Sequence, residues 1–251
     1  MLDLLKINFK NSNDLKIVGN YYVVDSDKIV ILAHGFTNDK SSNGRFDQLS
    51  EKLNTAGYDA LAIDFSGSGE SDDAPLTIEN QIDDLKQAVN FVVSKGYSKI
   101  AFFGNSFGSV SCLMNYEDRI NTMVLTGALT DKMHYEWDNY FSKAQMNSLE
   151  QNGYFFTEDK RPHQITCQTL KDYEIIDQEQ SLTQVKCPIL IIHGNNEEDL
   201  EELMLLERSR KGMKFLSKDS TLEIIEDGKH GFRSKWHEVI DLTIKWLDEY
   251  L

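Results

Sequence analysis

Cysteine is scarce: Cys112, Cys167 and Cys187 stand far apart, with no CxxC pair. An odd number at wide spacing builds neither a disulfide framework nor a zinc site, and it suits reduced thiols that serve as packing residues. Proline is equally rare, with 3 in 251 residues, which argues against long disordered linkers. Positive charge is also in short supply. The 26 Lys+Arg face 41 Asp+Glu, a formal net charge of -15 that repels phosphate backbones and anionic lipid headgroups, so nucleic acid is not an expected partner. No stretch approaches the roughly 20 apolar residues of a membrane helix. The N-terminal segment lacks the basic start, apolar run and small-residue cleavage site of a secretory leader, so no membrane span and a cytoplasmic location are expected. Among the six histidines there is no HExxH or comparable ligand spacing, and neither a metal nor another cofactor is expected.

What is present is an ordinary globular composition, with 40% apolar and 27% charged residues over a length that accommodates one large domain. From Lys28 onward, short apolar runs alternate with longer amphipathic stretches, the signature of βαβ units winding a mostly parallel sheet. The strands are read at 29–35, 58–67, 99–106, 122–129, 188–194 and 221–227. Several are apolar on both faces, as buried parallel strands require. Covering helices are read in between, and in the closing WHEVIDLTIKWLDEYL, where Trp236, Val239, Ile240, Thr243, Ile244 and Leu247 recur at helical spacing. The opening LLKINFKN and LKIVGNYYVV, with no helix between them, read as an antiparallel hairpin on the sheet edge. Residues 130–185 break the rhythm. This stretch holds no evident parallel strand and carries His134, Tyr135, Trp137, Tyr140, Phe141, Tyr154, Phe155 and Phe156. It is expected to be a lid inserted into a single domain spanning 1–251, although any one of these aromatics is better read as an anchor onto the body.

The chemistry concentrates in GNSFG, Gly104 to Gly108, which follows one apolar strand and opens a helix. This is G-x-S-x-G in the strand–turn–helix context that gives the pattern meaning, with glycines two positions either side of Ser106 where side chains would collide. A serine nucleophile needs a base, and His230 in EDGKHGF, between the last strand and the last helix, is placed at the same edge of the sheet. His34 and His193 end strands in HG dipeptides and read as buried, hydrogen-bonded turn residues. The base needs a carboxylate, and the loop after PILIIHG offers Glu197, Glu198 and Asp199, at least two of which must serve only as an acidic helix start. Backbone donors for a tetrahedral oxyanion are expected from Phe107, after the nucleophile, and Phe36, in the HGF turn. In DFSGSGES, Gly67 and Gly69 make a tight turn, while Asp64 and Ser71 read as structural.

Over nearly its whole length, the order HGF, DFSGSGES, GNSFG, IIHGNNEEDL, GKHGF resembles the α/β-hydrolase superfamily. Within it, HGFTND, DFSGSGES and the mid-chain insertion resemble bacterial carboxylesterases of the cinnamoyl and feruloyl esterase type. The resemblance implies an α/β-hydrolase fold, Ser106 as nucleophile, His230 as base, and Phe36 and Phe107 as oxyanion donors. The family's acid stands four residues after the HG histidine, usually as aspartate, with a branched apolar residue three further on. Those places hold Glu197 and Leu200 here, which makes Glu197 the implied acid and leaves Glu198, Asp199 and, after an earlier strand, Asp131 as competitors. The expected activity is cleavage of a small-molecule carboxylic ester with an apolar or aromatic acyl group. Thioesterase, monoglyceride lipase or peptidase activity, or noncatalytic ligand binding on the same fold, are the alternatives.

Overall fold

The computed structural model describes residues 3–251. In chain order it contains β1 (Asp3–Lys10), β2 (Lys16–Val23), β3 (Lys28–Ala33), α1 (Arg45–Thr55), β4 (Asp59–Asp64), α2 (Ile78–Ser94), β5 (Lys99–Asn105), α3 (Gly108–Met114) and β6 (Ile120–Thr126). There follow α4 (Lys143–Asn152), β7 (Tyr154–Phe156), β8 (Gln164–Thr166), α5 (Cys167–Lys171), α6 (Gln178–Thr183), β9 (Ile189–Gly194), α7 (Leu200–Gly212), β10 (Thr221–Ile225) and α8 (Trp236–Tyr250). Eight strands form one sheet in the order β1-β2-β4-β3-β5-β6-β9-β10. β1 and β2 pair antiparallel, β2 meets β4 antiparallel, and every pairing from β4 to β10 is parallel. The edge hairpin and the six parallel strands therefore lie where the apolar runs place them.

Alternation along the strands divides the core into two layers. In β3, Ile29, Ile31 and Ala33 face one layer while Val30 and Leu32 face the other. In β5, Ile100 and Phe102 pack with Leu85, Val89 and Val92 of α2, whereas Ala101 and Phe103 pack with α1 and α8. Helix α8 seats Trp236, Val239, Ile240, Trp246 and Leu247 on that second side. The Trp246 indole N–H donates to the Thr122 hydroxyl of β6 at 2.7 Å, satisfying a polar group deep in the layer.

Between β6 and β9, the chain crosses the carboxyl edge of the sheet as α4, the two-stranded antiparallel hairpin β7–β8, α5 and α6. Strands of three residues give too little alternation to be read from sequence, and the hairpin joins no strand of the main sheet. The segment is tied down by its own core of Leu149, Phe155, Ile165 and Leu170 against Leu76. It is also held by Asp172, whose carboxylate accepts from the Ile78 backbone N–H at 2.7 Å at the start of α2. Tyr135 and Phe155 are buried anchors, but Tyr140, Tyr154 and Phe156 are exposed. One expectation needs correcting here: Cys112 and Cys187 are buried packing residues, whereas Cys167, at the first position of the short α5, is exposed.

Candidate active site

Strand β5 runs buried to Asn105, and the chain reverses at Ser106, whose φ of 52° lies in the left-handed region that ordinary residues avoid. The turn is held by the Ser106 N–H donating to Thr126 O at 2.8 Å, and by the Ser109 hydroxyl donating to Ser106 O at 2.6 Å. Glycine is required on both flanks. A Cβ at Gly104 would stand 2.9 Å from the Ser109 Cα, and one at Gly108 would stand 2.3 Å from the Ala33 carbonyl oxygen. The result is a serine hydroxyl projected above the sheet's carboxyl edge at the start of α3.

The hydroxyl meets an imidazole. Ser106 Oγ lies 2.9 Å from His230 Nε2, and His230 Nδ1 lies 2.7 Å from Glu202 Oε2. The strand ends make room for the ring: Gly127, at φ 53°, is where a Cβ would sit 2.8 Å from the His230 ring atoms. The loop carrying His230 is fixed by its own backbone N–H, which donates to Asp199 Oδ2 at 2.9 Å.

The carboxylate on His230 is therefore Glu202, not Glu197. Glu197 lies in an exposed turn, two residues before the N-cap of α7. Glu198 is exposed and pairs with Lys229 at 2.7 Å. Asp199 is the N-cap of α7, its carboxylate accepting from the Glu202 N–H at 3.1 Å. Asp131 contacts its own neighbour, accepting from the Lys132 N–H at 2.8 Å. The physical reason is helix register. α7 begins at Leu200, so Glu202, Leu205, Leu206 and Ser209 share its buried face, and the first acidic residue on that face turns back over the end of β9. The signal was present as D-x-x-E, an N-cap followed three residues later by glutamate.

Glu202 is fully buried and saturated. Its Oε1 accepts from His193 Nδ1 at 2.8 Å and from the Gly194 backbone N–H at 2.8 Å, leaving Oε2 for His230. His193 is held in turn at Nε2, which stands 2.8 Å from the Ser209 hydroxyl. His193 is buried and hydrogen-bonded as the sequence suggests, but its partner is the site's own acid, a link the sequence does not announce. Burial alone would raise the Glu202 carboxyl, but hydrogen bonds and charge from the two imidazoles outweigh it and bring its pKa down to about 2. For His230, burial opposes the charged form, but the Glu202 carboxylate overcomes it and moves the imidazole above its ordinary 6.5.

Phe36 and Phe107 flank the serine. Their rings meet edge to face at 6.1 Å, and neither backbone N–H has a hydrogen-bond partner among the described residues. The turn carrying Phe36 is set by buried His34, whose Nδ1–H donates to Gly35 O at 2.8 Å while Nε2 accepts from the Phe65 N–H at 3.2 Å. Asp64 and Ser71 do the structural work expected of them. Asp64 accepts from Lys40 Nζ at 2.6 Å and from the Glu70 N–H at 2.8 Å, and the Ser71 hydroxyl donates to Asp64 O at 2.6 Å. Above the serine opens a cavity of about 530 Å³, walled by Phe36, Tyr135, Trp137 and Tyr173. No cluster of His, Cys, Asp and Glu suited to a metal ion occurs among the described residues.

A family model described as serine aminopeptidase, S33, matches residues 24–162, over half of the chain and including the serine turn. The chain belongs to the S33 family. Its fold is that of the α/β-hydrolases, shared with solved structures of low sequence identity. The α/β hydrolase GrgF from a Penicillium species superposes with a TM-score of 0.80 at 15% identity, covering 99% of each chain. Est1E from Butyrivibrio proteoclasticus, solved with ferulic acid bound, gives 0.76 at 18% identity, covering 97% of this chain and 98% of its own. An esterase from Pyrococcus furiosus gives 0.74 at 17% identity, covering 99% and 92%. Among curated proteins no sequence matches the S33 chain. The family match ends before Glu202 and His230, so the hydrogen-bonded chain that reaches the serine rests on the geometry above.

Proposed function

We propose that this α/β-hydrolase is a serine esterase that cleaves carboxylic esters of small molecules through an acyl-enzyme on Ser106. The observation that carries the reading is the unbroken chain from Ser106 Oγ to His230 to Glu202, at 2.9 and 2.7 Å. His230 Nε2 takes the hydroxyl proton as Oγ attacks the ester carbonyl, and the developing oxyanion is received by the free N–H groups of Phe36 and Phe107. The resulting imidazolium is stabilised by Glu202, which does not itself become protonated. Collapse of the tetrahedral species breaks the bond to the alkoxy oxygen, and His230 returns its proton to the departing alcohol. Water then repeats the sequence on the acyl-enzyme and frees the acid. No step calls for a metal or cofactor.

The aromatic walls offer apolar surface to the groups on either side of the ester, an apolar or aromatic acyl group among them, and Est1E with its bound ferulic acid is a neighbour of the same fold. We read the chain as one domain in which residues 130–185 act as a lid, since Tyr135, Trp137 and Tyr173 of that segment line the cavity over the serine. Incubation with a fluorophosphonate probe tests the reading. The expected result is stoichiometric labelling of Ser106, with hydrolysis of a short p-nitrophenyl ester abolished in Ser106→Ala at unchanged Tm. Wild-type hydrolysis by Ser106→Ala would overturn it.

A further inference from the structure

The cavity over Ser106 combines two features that the acyl-transfer steps themselves do not use. Its inner wall is aromatic, with Trp137 partly exposed and Tyr135 and Tyr173 presenting only a small part of each ring. Tyr135, Trp137 and Tyr173 pack with centroids 4.8 to 5.2 Å apart, and the first two rings line the space together with Tyr173 itself. None of these rings is covered by a cation of the protein, since the cation–π contacts among the described residues involve Lys28, Arg45, Lys95 and Lys214, all elsewhere. The second feature is charge of a single sign. Glu158, Asp159 and Glu201 line the cavity, and no lysine or arginine does.

The acidic groups are partly compensated from outside the cavity: Lys40, Lys160 and Arg161 line the adjoining groove that shares Phe36, Thr37 and Asp159, and Arg208 stands near the Tyr135 phenol. Glu201 accepts one hydrogen bond, from the Tyr135 hydroxyl at 2.6 Å, and that phenol is pushed well above its ordinary range by burial and by the carboxylate, so it stays neutral. His163, 3.4 Å from Asp159, is lowered by burial and stays largely uncharged near neutrality. Arg161, two residues on from Asp159, is paired with Asp73 at 2.7 Å. An aromatic face presents negative charge density to a cation, and a carboxylate nearby adds to the attraction.

We propose that this cavity selects ester substrates that carry a positive charge, such as a quaternary or protonated ammonium group, and disfavours those that carry a carboxylate. The inference rests on the esterase reading and names its substrate class. The aromatic wall takes the ammonium methyl or methylene groups, while Glu201 and its acidic neighbours supply the field. Ser106 lines the same cavity.

The test compares butyrylcholine with 3,3-dimethylbutyl butyrate, an uncharged isostere in which carbon replaces the ammonium nitrogen. The expected kcat/KM ratio favours the cation by about tenfold or more at low ionic strength, and narrows as salt is added. Glu201→Gln and Trp137→Ala should each reduce that ratio several-fold. Binding is read without turnover by titrating phenyltrimethylammonium into Ser106→Ala protein and following tryptophan fluorescence, where saturable, salt-sensitive quenching is expected. Equal or faster cleavage of the neutral ester, or a ratio that neither substitution moves, would overturn the proposal and leave the esterase intact. Saturable cation binding with neither ester cleaved and no fluorophosphonate labelling would overturn the esterase and leave the cation site standing. Absence of saturable quenching would overturn the cation site.

Discussion

A buried carboxylate that accepts from two imidazoles and a backbone N–H has almost no orientational freedom, and Glu202 is in that position. His193 is thus a positioning residue for the acid. His193→Leu removes a hydrogen bond to a charged group, an interaction worth about 1.5–3 kcal/mol, and kcat should fall by roughly 10- to 100-fold with little change in KM. His193→Gln, which restores a donor, should recover part of the loss. The pH profile separates this from a general loss of structure. Because Glu202 holds the His230 imidazole above its ordinary pKa and the neutral form is the base, kcat/KM should rise with pH through a limb above 6.5. In Glu202→Gln that limb moves to lower pH while the plateau drops. Ser106, His230, Phe36 and Phe107 were legible because each sits in a short pattern at a strand end. Glu202 was not, because the loop from Asn195 to Asp199 carries three acidic residues nearer the strand, and only the register of α7 tells which carboxylate turns inward.

At the scale of elements, the site depends on two close approaches between chain segments. A Cβ at Gly108 meets the Ala33 and His34 carbonyl oxygens, at 2.3 and 2.6 Å, so α3 cannot keep its seat against the end of β3. Gly108→Ala should lower Tm by several degrees, as expected for roughly 2 kcal/mol of overpacking, and should also depress activity by moving the serine turn. Gly127→Ala is different: its Cβ meets the His230 ring at 2.8 Å in a positive-φ residue, so activity should fall more steeply than Tm. Thermal melts and initial rates on the same preparations distinguish the two. The parallel strands were legible from apolar runs buried on both faces, and the helices from their spacing. The β7–β8 hairpin was not, since three-residue strands such as YFF are too short to display a period.

For the whole molecule, buried carboxyl groups set how stability follows pH. Glu202 sits at about 2 in the folded chain against an ordinary 4.5, so its contribution is complete above pH 4.5 and is lost as pH falls from 4.5 through 2. On the order of 3 kcal/mol is at stake. Asp84 works in the opposite sense. Burial, only partly offset by donors from Ser66 and Asn11, pushes it up to about 6 from 3.8, so stability is lost as pH rises from 3.8 through 6. Urea midpoints across pH 3 to 7 should therefore rise and then sag. Glu202→Gln should flatten the acid side, and Asp84→Asn should remove the sag above pH 4. The net charge of -15 adds a general self-repulsion at neutral pH that salt relieves.

The central claim is that Ser106, His230 and Glu202 act as one unit, and kcat/KM for a short p-nitrophenyl ester, measured for Glu202→Gln beside Glu197→Gln, tests it most directly. The account predicts a loss on the order of 10³-fold or more for Glu202→Gln and near wild-type activity for Glu197→Gln. Wild-type activity in Glu202→Gln, or the larger loss in Glu197→Gln, would contradict it.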